Sequence, residues 1–324
     1  MHVLVTGGAG YIGSTTTKLL LDTGHQVTVF DSLEKGHKDN VDPRATFVEG
    51  NLLDRPSVEK VVSSNQFDGA IHFAGYIPVG ESMQDPYKHI YNNIQAGNVL
   101  VDVLQSHGVH KVVFSSTAAV YGDPEHTPIP EDHPKNPTSV YGETKLMFEK
   151  ILRWYFITKQ VSSVSLRFFN AAGAALDGSM GERHTPETHI IPLAIDALLH
   201  DRVFALFGND YKTPDGTCIR DYIHILDLAQ AHVLALAKLE KDQGTFAYNA
   251  GTGKGYSNKE VVEMIQKVAG KTLQTEIKPR RPGDADILVA DISSIQRELG
   301  FEPKYSDLET IVKSAYAFHS RATA

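Results

Sequence analysis

Residues 3–13 read Val-Leu-Val-Thr-Gly-Gly-Ala-Gly-Tyr-Ile-Gly. The apolar start predicts a short buried strand, and the apolar positions from Thr17 to Leu21 predict a helix after the glycines. A backbone that passes close to a phosphate needs glycine, because a Cβ would block the approach. The start of the helix then offers free N–H groups and the positive end of its dipole to an anion. The stretch therefore predicts a turn that binds a dinucleotide.

The turn is set by Gly7, Gly10 and Gly13, in a Gly-x-x-Gly-x-x-Gly spacing. That spacing resembles the one found in the short-chain dehydrogenase/reductase superfamily, especially its extended members. The next predicted strand, residues 26–30, is followed by Asp31. An acidic residue roughly 20 positions after the glycines can accept hydrogen bonds from the ribose hydroxyls of the cofactor. Asp31 therefore favours NAD over NADP.

Composition narrows the class of protein. The 324 residues are 41% hydrophobic and 22% charged, as in ordinary globular proteins. A net charge of −8 gives no basic surface for nucleic acid. Cys218 is the single cysteine, so we expect a packed thiol and no intrachain disulfide. The histidines lack the His-x-x-x-His and His-Glu-x-x-His spacings, and we predict no metal site. Without a signal peptide or a transmembrane-length apolar run, we expect a cytoplasmic protein that does not enter a membrane.

Strand and helix signals alternate through the first half of the chain. Further strands are predicted at residues 45–50, 69–73, 111–116 and 165–170. This alternation predicts an α/β fold, a Rossmann-like doubly wound parallel sheet. Because the alternation stops near residue 175, we expect an NAD-binding domain at residues 1–175, with its sheet completed by segments around 220–255. Residues 176–324 would mainly form a smaller, discontinuous C-terminal lobe that binds the substrate.

Three groups are predicted to meet at the carboxyl edge of this sheet: Thr117, Tyr141 and Lys145. Tyr141 and Lys145 lie one helical turn apart on the same face. Tyrosine is a weak base at neutral pH because its ordinary pKa is about 10. A nearby ammonium and an oxidised nicotinamide would favour the phenolate and lower that pKa. Tyr141 could then accept a proton from a substrate hydroxyl that Thr117 holds in place.

A series of motifs, in order along nearly the whole chain, resembles the UDP-glucose 4-epimerase family. These are residues 6–13, 72–75, 115–122, 141–145, 167–170, 207–211, 216–224 and 280–284. The resemblance implies a tightly held NAD that is regenerated in each turnover. Tyr141 would take the proton from the sugar 4-hydroxyl while hydride moves from C4 to the nicotinamide. The 4-keto sugar would then rotate and take the hydride back on its other face.

The resemblance also implies a set of binding residues. Besides the catalytic Tyr141, Lys145 and Thr117, the cofactor would contact Gly7, Gly10, Tyr11, Ile12, Gly13, Asp31, Ser32, Asn51, Leu52, Phe73, Ala74, Gly75, Asn92, Tyr141, Lys145 and Phe169. The UDP-sugar would contact Thr117, Asn170, His189, Ile190, Ala205, Leu206, Phe207, Arg220, Arg281 and Asp284. Members of the family pair through two helices per subunit, so residues 91–104 and 145–155 are the candidate contacts of a homodimer.

The chain departs from the family pattern at three places. Tyr76-Ile77 replaces a Leu-Lys pair, which removes a cation expected near the cofactor pyrophosphate. Thr117 stands where serine is common, and its hydroxyl offers the same donor and acceptor. Leu288 occupies the position that limits the bulk of the sugar, which leaves acceptance of N-acetylated sugars open.

Three other functions remain to be weighed. A nucleotide-sugar 4,6-dehydratase needs an acid/base pair after the threonine, whereas Ala118 and Ala119 cannot transfer protons. A 4-epimerase of another UDP-sugar, such as an N-acetylhexosamine, a pentose or a uronate, is excluded much less firmly. A non-catalytic NAD-binding protein on this fold would be expected to lack Tyr141 or Lys145, yet both are present.

Overall fold

The computed structural model describes residues 1–281 and 284–321. Pro282 and Gly283, which belong to the 280–284 motif, lie outside the described residues, as do the last three residues of the predicted C-terminal lobe.

The strands are β1 (His2–Thr6), β2 (Gln26–Asp31), β3 (Thr46–Glu49), β4 (Gly69–His72), β5 (Lys111–Thr117), β6 (Ser162–Phe168), β7 (Asn170–Ala172), β8 (Phe204–Phe207), β9 (Ile219–His224), β10 (Thr245–Ala250), β11 (Gly255–Ser257), β12 (Thr275–Lys278) and β13 (Ile287–Leu288). The α-helices are α1 (Tyr11–Asp22), α2 (Arg55–Ser63), α3 (Val79–Gln84), α4 (Pro86–Ile90), α5 (Ala96–Ser106), α6 (Val140–Lys159), α7 (Ile190–Leu199), α8 (Ile225–Lys241), α9 (Asn258–Ala269), α10 (Ser293–Leu299) and α11 (Leu308–Arg321). Short 3₁₀ turns lie at Lys38–Asn40 and Ala118–Val120.

The main sheet confirms the predicted doubly wound architecture. In the described part of the chain it has seven strands in the order β10-β6-β5-β4-β1-β2-β3. Every neighbouring pair is parallel. Helices α1 and α8 pack on one face, and α2, α5 and α6 cover the other. Because both faces are covered, the central strands β1 and β5 contain the apolar runs Val3–Val5 and Val112–Phe114.

Two hydrophobic cores fill the space between the sheet and its helices. Leu20, Leu228 and Leu236 lie in the core under α1 and α8. Leu100 and Phe148 lie in the core on the opposite face. Both cores leave the carboxyl ends of the strands uncovered, and at that edge ligands bind in folds of this kind.

The last strand of the main sheet comes from late in the sequence. Strand β10 pairs with β6, from Thr245 beside Ser163 to Ala250 beside Phe168. From the segment around 220–255 the sheet thus takes β10, while α8 covers one of its faces. Strand β9 instead forms a small second sheet with β7, β11 and β13. A third core gathers α7, α9 and α11.

One predicted helix differs in its bounds. The segment predicted at residues 91–104 is helical from Pro86 to Ser106, through a π-helical turn at Tyr91–Gln95. None of the helices within the described residues is both long and apolar enough to span a lipid bilayer. Cys218 is a buried, unoxidised thiol.

Candidate active site

The glycine turn joins β1 to α1 with almost no free space. A Cβ added at Gly7, where φ is +73°, would lie 2.6 Å from the Ala74 nitrogen. A Cβ added at Gly13 would lie 2.2 Å from the Gly7 oxygen, so α1 sits directly on the turn. Gly10 is the N-cap of α1, and no side chain caps the helix there. The first N–H groups of the helix are thus left to bind an anion, which suits the pyrophosphate of a dinucleotide.

Asp31 is held rigidly at the end of β2. Its carboxylate is buried, with Oδ2 accepting from the Ala9 nitrogen at 2.9 Å and Oδ1 accepting from the Leu33 nitrogen at 2.8 Å. Each carboxylate oxygen has two acceptor positions, so both can still accept a ribose hydroxyl. The donor and acceptor set at this edge therefore fits NAD.

The side chains of several predicted cofactor residues contact other parts of the protein and not the glycine turn. The Tyr11 hydroxyl donates to the Gly173 oxygen at 2.6 Å, which leaves its main chain at the turn. Ile12 and Leu52 pack against the two cores of the main sheet. Phe73 packs against His232, with ring centroids 4.6 Å apart and the ring planes tilted by 47°. These positions can contact a cofactor chiefly through their backbone or one ring face.

Ser32 and Asn51 lie exposed after neighbouring strands, where they order their own loops. The Ser32 hydroxyl accepts from the Glu34 nitrogen at 3.4 Å, and the Asn51 side chain accepts from the Leu53 nitrogen at 2.9 Å. Because β2 and β3 are adjacent parallel strands, both residues lie at the carboxyl edge of the same part of the main sheet.

The loop after β4 is fixed by a residue that the sequence did not indicate. The Asn93 side chain accepts from the Tyr76 nitrogen at 2.7 Å and donates to the Tyr76 oxygen at 3.0 Å. A Cβ on Gly75 would come within 3.1 Å of Asn93 and 3.8 Å of the Lys145 ammonium. Asn92, the predicted contact, is half-buried next to Asn93. The doubled asparagine was the available signal, and Asn93 is the member that positions the loop.

Tyr76 itself bridges two loops at this edge. Its hydroxyl donates to Glu34 Oε1 at 2.6 Å, joining the loop after β4 to the loop after β2. The Lys88 ammonium lies 4.6 Å from the centroid of the Tyr76 ring and 2.7 Å from Glu81. Lys88 thus places a positive charge beside the position where Tyr76-Ile77 removes one.

Thr117, Tyr141 and Lys145 come together as the sequence predicts. Helix α6 begins immediately before Tyr141, capped by the Ser139 hydroxyl, and the Tyr141 nitrogen donates to the buried Ser82 hydroxyl at 3.1 Å. The Lys145 ammonium donates to the Ser115 oxygen at 2.9 Å and lies 5.8 Å from the centroid of the Tyr141 ring.

Burial governs the ionisation of this group. It raises the pKa of Tyr141 to about 12, against which a hydrogen bond with Thr117 lowers it. Burial also lowers the pKa of Lys145 to about 8. We expected Lys145 to help lower the Tyr141 pKa, but in the chain's own residues desolvation outweighs such an effect. A positive charge from an oxidised nicotinamide would have to supply the rest of the lowering.

A buried polar network supports the turn that follows Thr117. The Arg167 guanidinium binds Glu149 through two hydrogen bonds of 2.7 and 3.0 Å and donates to the Tyr121 hydroxyl at 3.0 Å. The Ser116 hydroxyl donates to Glu149 at 2.6 Å, and the Tyr121 hydroxyl donates to Asn249 at 2.7 Å. The network thus ties β5, β6, α6 and β10 together behind the catalytic edge.

The predicted sugar contacts begin next to this edge. Thr117 pairs with Phe168 in the main sheet, so Phe169 and Asn170 emerge beside the catalytic hydroxyl. The Asn170 amide donates to the Asp221 oxygen at 3.1 Å. Phe169 shares a small core with Leu288. Leu288, the residue compared with the family's sugar-size position, thus packs against the small core that contains Phe169.

Arg220 and Asp284 are already paired. Nη1 of Arg220 donates to the oxygens of Ile219 and Ala285, both at 2.9 Å, while Nη2 lies 3.5 Å from Asp284. The Tyr211 hydroxyl is 3.4 Å from the other Asp284 oxygen. The guanidinium therefore keeps only part of its donor set for a diphosphate.

An open cleft collects most of the remaining predicted substrate residues. The Arg281 guanidinium lies 4.3 Å from the centroid of the Phe207 ring. The predicted residues that line the cleft are Ile190, Ala205, Leu206, Phe207, Arg281 and Asp284. Ile190 also lines a smaller pocket with Asn170, so the two cavities meet there.

His189 points into an unexpected group of side chains. Its Nδ1 atom lies 2.6 Å from Glu182 and 3.2 Å from Glu187. Partial desolvation lowers the pKa of His189, but these carboxylates outweigh it and raise the pKa to about 10. Glu182 and His184 complete the group. The signal in the sequence is the spacing Glu-x-His-x-x-Glu-x-His, which differs from both His-x-x-x-His and His-Glu-x-x-His.

The arrangement defines an enzyme of the extended short-chain dehydrogenase/reductase type. A glycine turn, a strand-end aspartate and a buried Thr-Tyr-Lys group share one edge of a parallel sheet. The chain belongs to the NAD dependent epimerase/dehydratase family, whose sequence pattern matches residues 3–251.

Similar proteins extend the match over almost the whole chain. A UDP-glucose 4-epimerase of Halalkalibacterium halodurans is 46% identical over 320 residues, covering 98% of this chain and 96% of the relative. The structure of the Brucella ovis UDP-glucose 4-epimerase in complex with NAD is 43% identical, with a TM-score of 0.95 over 98% of both chains. The Bifidobacterium longum UDP-glucose 4-epimerase, solved with NAD⁺ and UDP, is 36% identical, with a TM-score of 0.94 over 100% of this chain and 99% of that one.

Proposed function

We propose that this chain is an NAD-dependent 4-epimerase that interconverts UDP-galactose and UDP-glucose through a transient 4-keto sugar. The observation that carries the proposal is the buried group of Thr117, Tyr141 and Lys145 beside the glycine turn. The full-length similarity to UDP-glucose 4-epimerases supports the choice of substrate.

Each residue has a separate part in the reaction. A nicotinamide held at this edge would supply the hydride acceptor and donor for C4 of the sugar. Tyr141 takes the proton of the sugar 4-hydroxyl and later gives it back, while Thr117 holds that hydroxyl by a hydrogen bond. Lys145, fixed by the Ser115 oxygen, keeps a positive charge beside the phenol. Arg220 with its partner Asp284, and Arg281 beside Phe207, would hold the nucleotide while the sugar turns.

The test uses purified protein and UDP-galactose, without added NAD, and follows UDP-glucose by chromatography. We expect conversion by the wild-type chain and none by Tyr141→Phe, which should still contain NAD. Tyr305→Phe, a change at a partly exposed tyrosine away from the predicted site residues, is the matched control and should remain active. An active Tyr141→Phe variant would show that another group is the base.

Other UDP-sugars are the second candidate, because Leu288, at the family's sugar-size position, packs against the small core that contains Phe169. The same assay therefore includes UDP-N-acetylgalactosamine, UDP-xylose and a UDP-uronate. Conversion of one of these, with UDP-galactose left unchanged even after NAD is added, would move the proposal to that sugar. If no sugar reacts although NAD is bound, the chain is a non-catalytic NAD-binding protein.

A homodimer is part of the proposal, and the structure offers a surface for it. Helices α3 and α4 pack against α6. Their exposed apolar side chains include Met83, Tyr87 and Trp154, of which Tyr87 is 75% exposed and Trp154 64% exposed. The apolar residues of α5 are instead buried in the core. The proposed contact is therefore shifted from residues 91–104 toward α4 and the outer face of α6.

Light scattering after gel filtration tests the dimer. We expect a mass near twice 35.6 kDa for the wild type and a lower mass for Trp154→Glu. Leu176→Glu, which adds the same charge at another exposed apolar position, should leave the mass unchanged. A wild-type mass near 35.6 kDa would refute the dimer. We further propose that the reaction serves galactose metabolism and takes place in the cytoplasm, which cell fractionation can test.

A further inference from the structure

Four ligating side chains meet between β7 and α7, outside the proposed catalytic group. Glu182, His184, Glu187 and His189 each bring one ligand atom to within 4.8 Å of the others. We call these residues the 182–189 cluster. Glu182 and His189 also line the small pocket that Asn170 lines.

The separations within the cluster suit ligands of one metal ion. Nδ1 of His189 lies 2.6 Å from Glu182 Oε1 and 3.2 Å from Glu187 Oε1. Nδ1 of His184 lies 3.0 Å from the same Glu182 oxygen. Tetrahedral ligands at metal distances of about 2.0–2.2 Å are about 3.3 Å apart. A small rearrangement would therefore bring the four atoms around a single centre.

The state of His184 is an independent sign of a missing ligand. Its Nδ1 atom is buried and has no hydrogen-bond partner among the described residues. The nearby Glu182 oxygen, although 3.0 Å away, is not aligned to share a proton with it. A buried ring nitrogen without a partner is costly, and a metal ion on its lone pair would satisfy it.

Charge gives a further reason. Only 6% of the Glu182 side chain is exposed, and within the described residues no Lys or Arg forms an ion pair with it. Glu187 adds a second carboxylate 3.2 Å from the His189 ring. A metal ion bound to Nδ1 would displace the proton that His189 shares with these carboxylates, and a divalent cation would then balance the two negative charges.

We propose that the 182–189 cluster binds one divalent transition-metal ion of the Zn²⁺ class. Two imidazole nitrogens and two carboxylate oxygens match the ligands of zinc sites, whereas Ca²⁺ and Mg²⁺ prefer oxygen alone. Four protein ligands make a closed, structural site without an open position for catalysis. The ion would fix the segment that carries Arg183, whose guanidinium binds Asp39 at 2.7 Å, against the cofactor domain. The proposal does not depend on the epimerase activity.

The experiment measures metal binding directly. Full-length protein without a histidine tag is dialysed against a chelator and titrated with Zn²⁺ in competition with a coloured chelator. We expect one ion per chain in the wild type, and affinity lower by at least about tenfold in His184→Ala and Glu182→Gln. His200→Ala, at an exposed histidine beside Asp196, is the matched control and should bind like the wild type.

Two further measurements cover the case of an unstable variant. Wild-type protein loaded with Co²⁺ should show the strong visible absorption of a four-coordinate ion, and Zn²⁺ should raise the melting temperature of the wild type. The proposal is overturned if the wild type binds no Zn²⁺, if His184→Ala and Glu182→Gln bind it as the wild type does, or if Co²⁺ shows only the weak spectrum of the hydrated ion. A cluster held by hydrogen bonds to a protonated His189 would give the first of these results.

Discussion

Replacing Glu149 by alanine would leave the Arg167 guanidinium without its counter-ion behind the catalytic edge. Only 5% of the Arg167 side chain and 10% of the Glu149 side chain are exposed, and two hydrogen bonds of 2.7 and 3.0 Å join them. The remaining partners of Arg167, the Tyr121 hydroxyl and the Glu131 oxygen, are neutral. Among the residues that the structure describes, no second carboxylate forms an ion pair with Arg167, so the variant retains an unpaired buried charge.

The expected cost follows from this burial. Removing one partner of a buried ion pair costs about 3–5 kcal/mol. The entropy of unfolding is about 2.1 cal/mol/K per residue, or about 0.7 kcal/mol/K for 324 residues. Dividing the energy by this entropy gives a fall in melting temperature of about 4–7 °C. Differential scanning calorimetry of the purified variant measures both quantities.

An exposed ion pair supplies the control. Glu59 binds Arg55 at 2.8 Å with nearly half of each side chain in solvent, so Glu59→Ala should cost no more than about 1 kcal/mol. Replacing both buried partners, Glu149→Leu with Arg167→Met, should recover much of the loss because no unpaired charge is left. If Glu149→Ala lowers the melting temperature no more than Glu59→Ala does, the reasoning from burial is wrong.

Three other predictions concern the active site and its surroundings. Thr117→Ala loses the hydrogen bond that lowers the pKa of Tyr141, so the pH profile of kcat/KM should move to higher pH. Thr117→Ser should restore the wild-type profile. Equal profiles for Thr117→Ala and the wild type would exclude this role for Thr117. Burial lowers the pKa of His72 to about 3, whereas the imidazole of the unfolded chain binds a proton near pH 6.5. The free energy of unfolding should therefore fall as the pH drops from about 6.5 toward 3, by up to about 1.4 kcal/mol per pH unit from this residue. His72→Gln should flatten that dependence in urea unfolding, and an unchanged slope would contradict it. Gly13→Ala should lower the free energy of unfolding by about 1–3 kcal/mol and weaken NAD binding, because its Cβ would lie 2.2 Å from the Gly7 oxygen. Calorimetry measures the first effect and cofactor titration the second. If the turn can relax around the Cβ, both measurements will match the wild type.

Local patterns in the sequence were sufficient for the framework of the fold. The strand before the glycines, Asp31 after the second strand and the alternation up to residue 175 depend on short-range rules, and the main sheet follows them. The meeting of Thr117 with Tyr141 was also predictable, because parallel strands deliver their carboxyl ends to one edge. The π-helical turn at Tyr91–Gln95 had no such signal, since its apolar spacing is that of an ordinary helix.

Contacts between distant segments were beyond the same rules. Asn93 holds Tyr76 across 17 residues, and Glu182 lies near His189 only because the segment folds back on itself. The effect of burial on the Tyr141 pKa has a related cause, because the sequence shows its charged neighbours but not how completely the phenol is removed from water. Burial and pairing are properties of the assembled chain, and single motifs carry little information about them.

Because β10 lies late in the sequence but pairs with β6, this protein cannot be divided freely into fragments. Thr117, Tyr141 and Lys145 all precede residue 175, yet a fragment ending there would expose the edge of β6 and lose the α8 cover over Leu20. It would also lack Asn249, the partner of the Tyr121 hydroxyl. During synthesis, the sheet that positions the proposed catalytic residues therefore cannot close until Ala250 has left the ribosome. The chemistry cannot be transplanted as an N-terminal fragment, and a permuted or split version would need to keep β6 and β10 side by side.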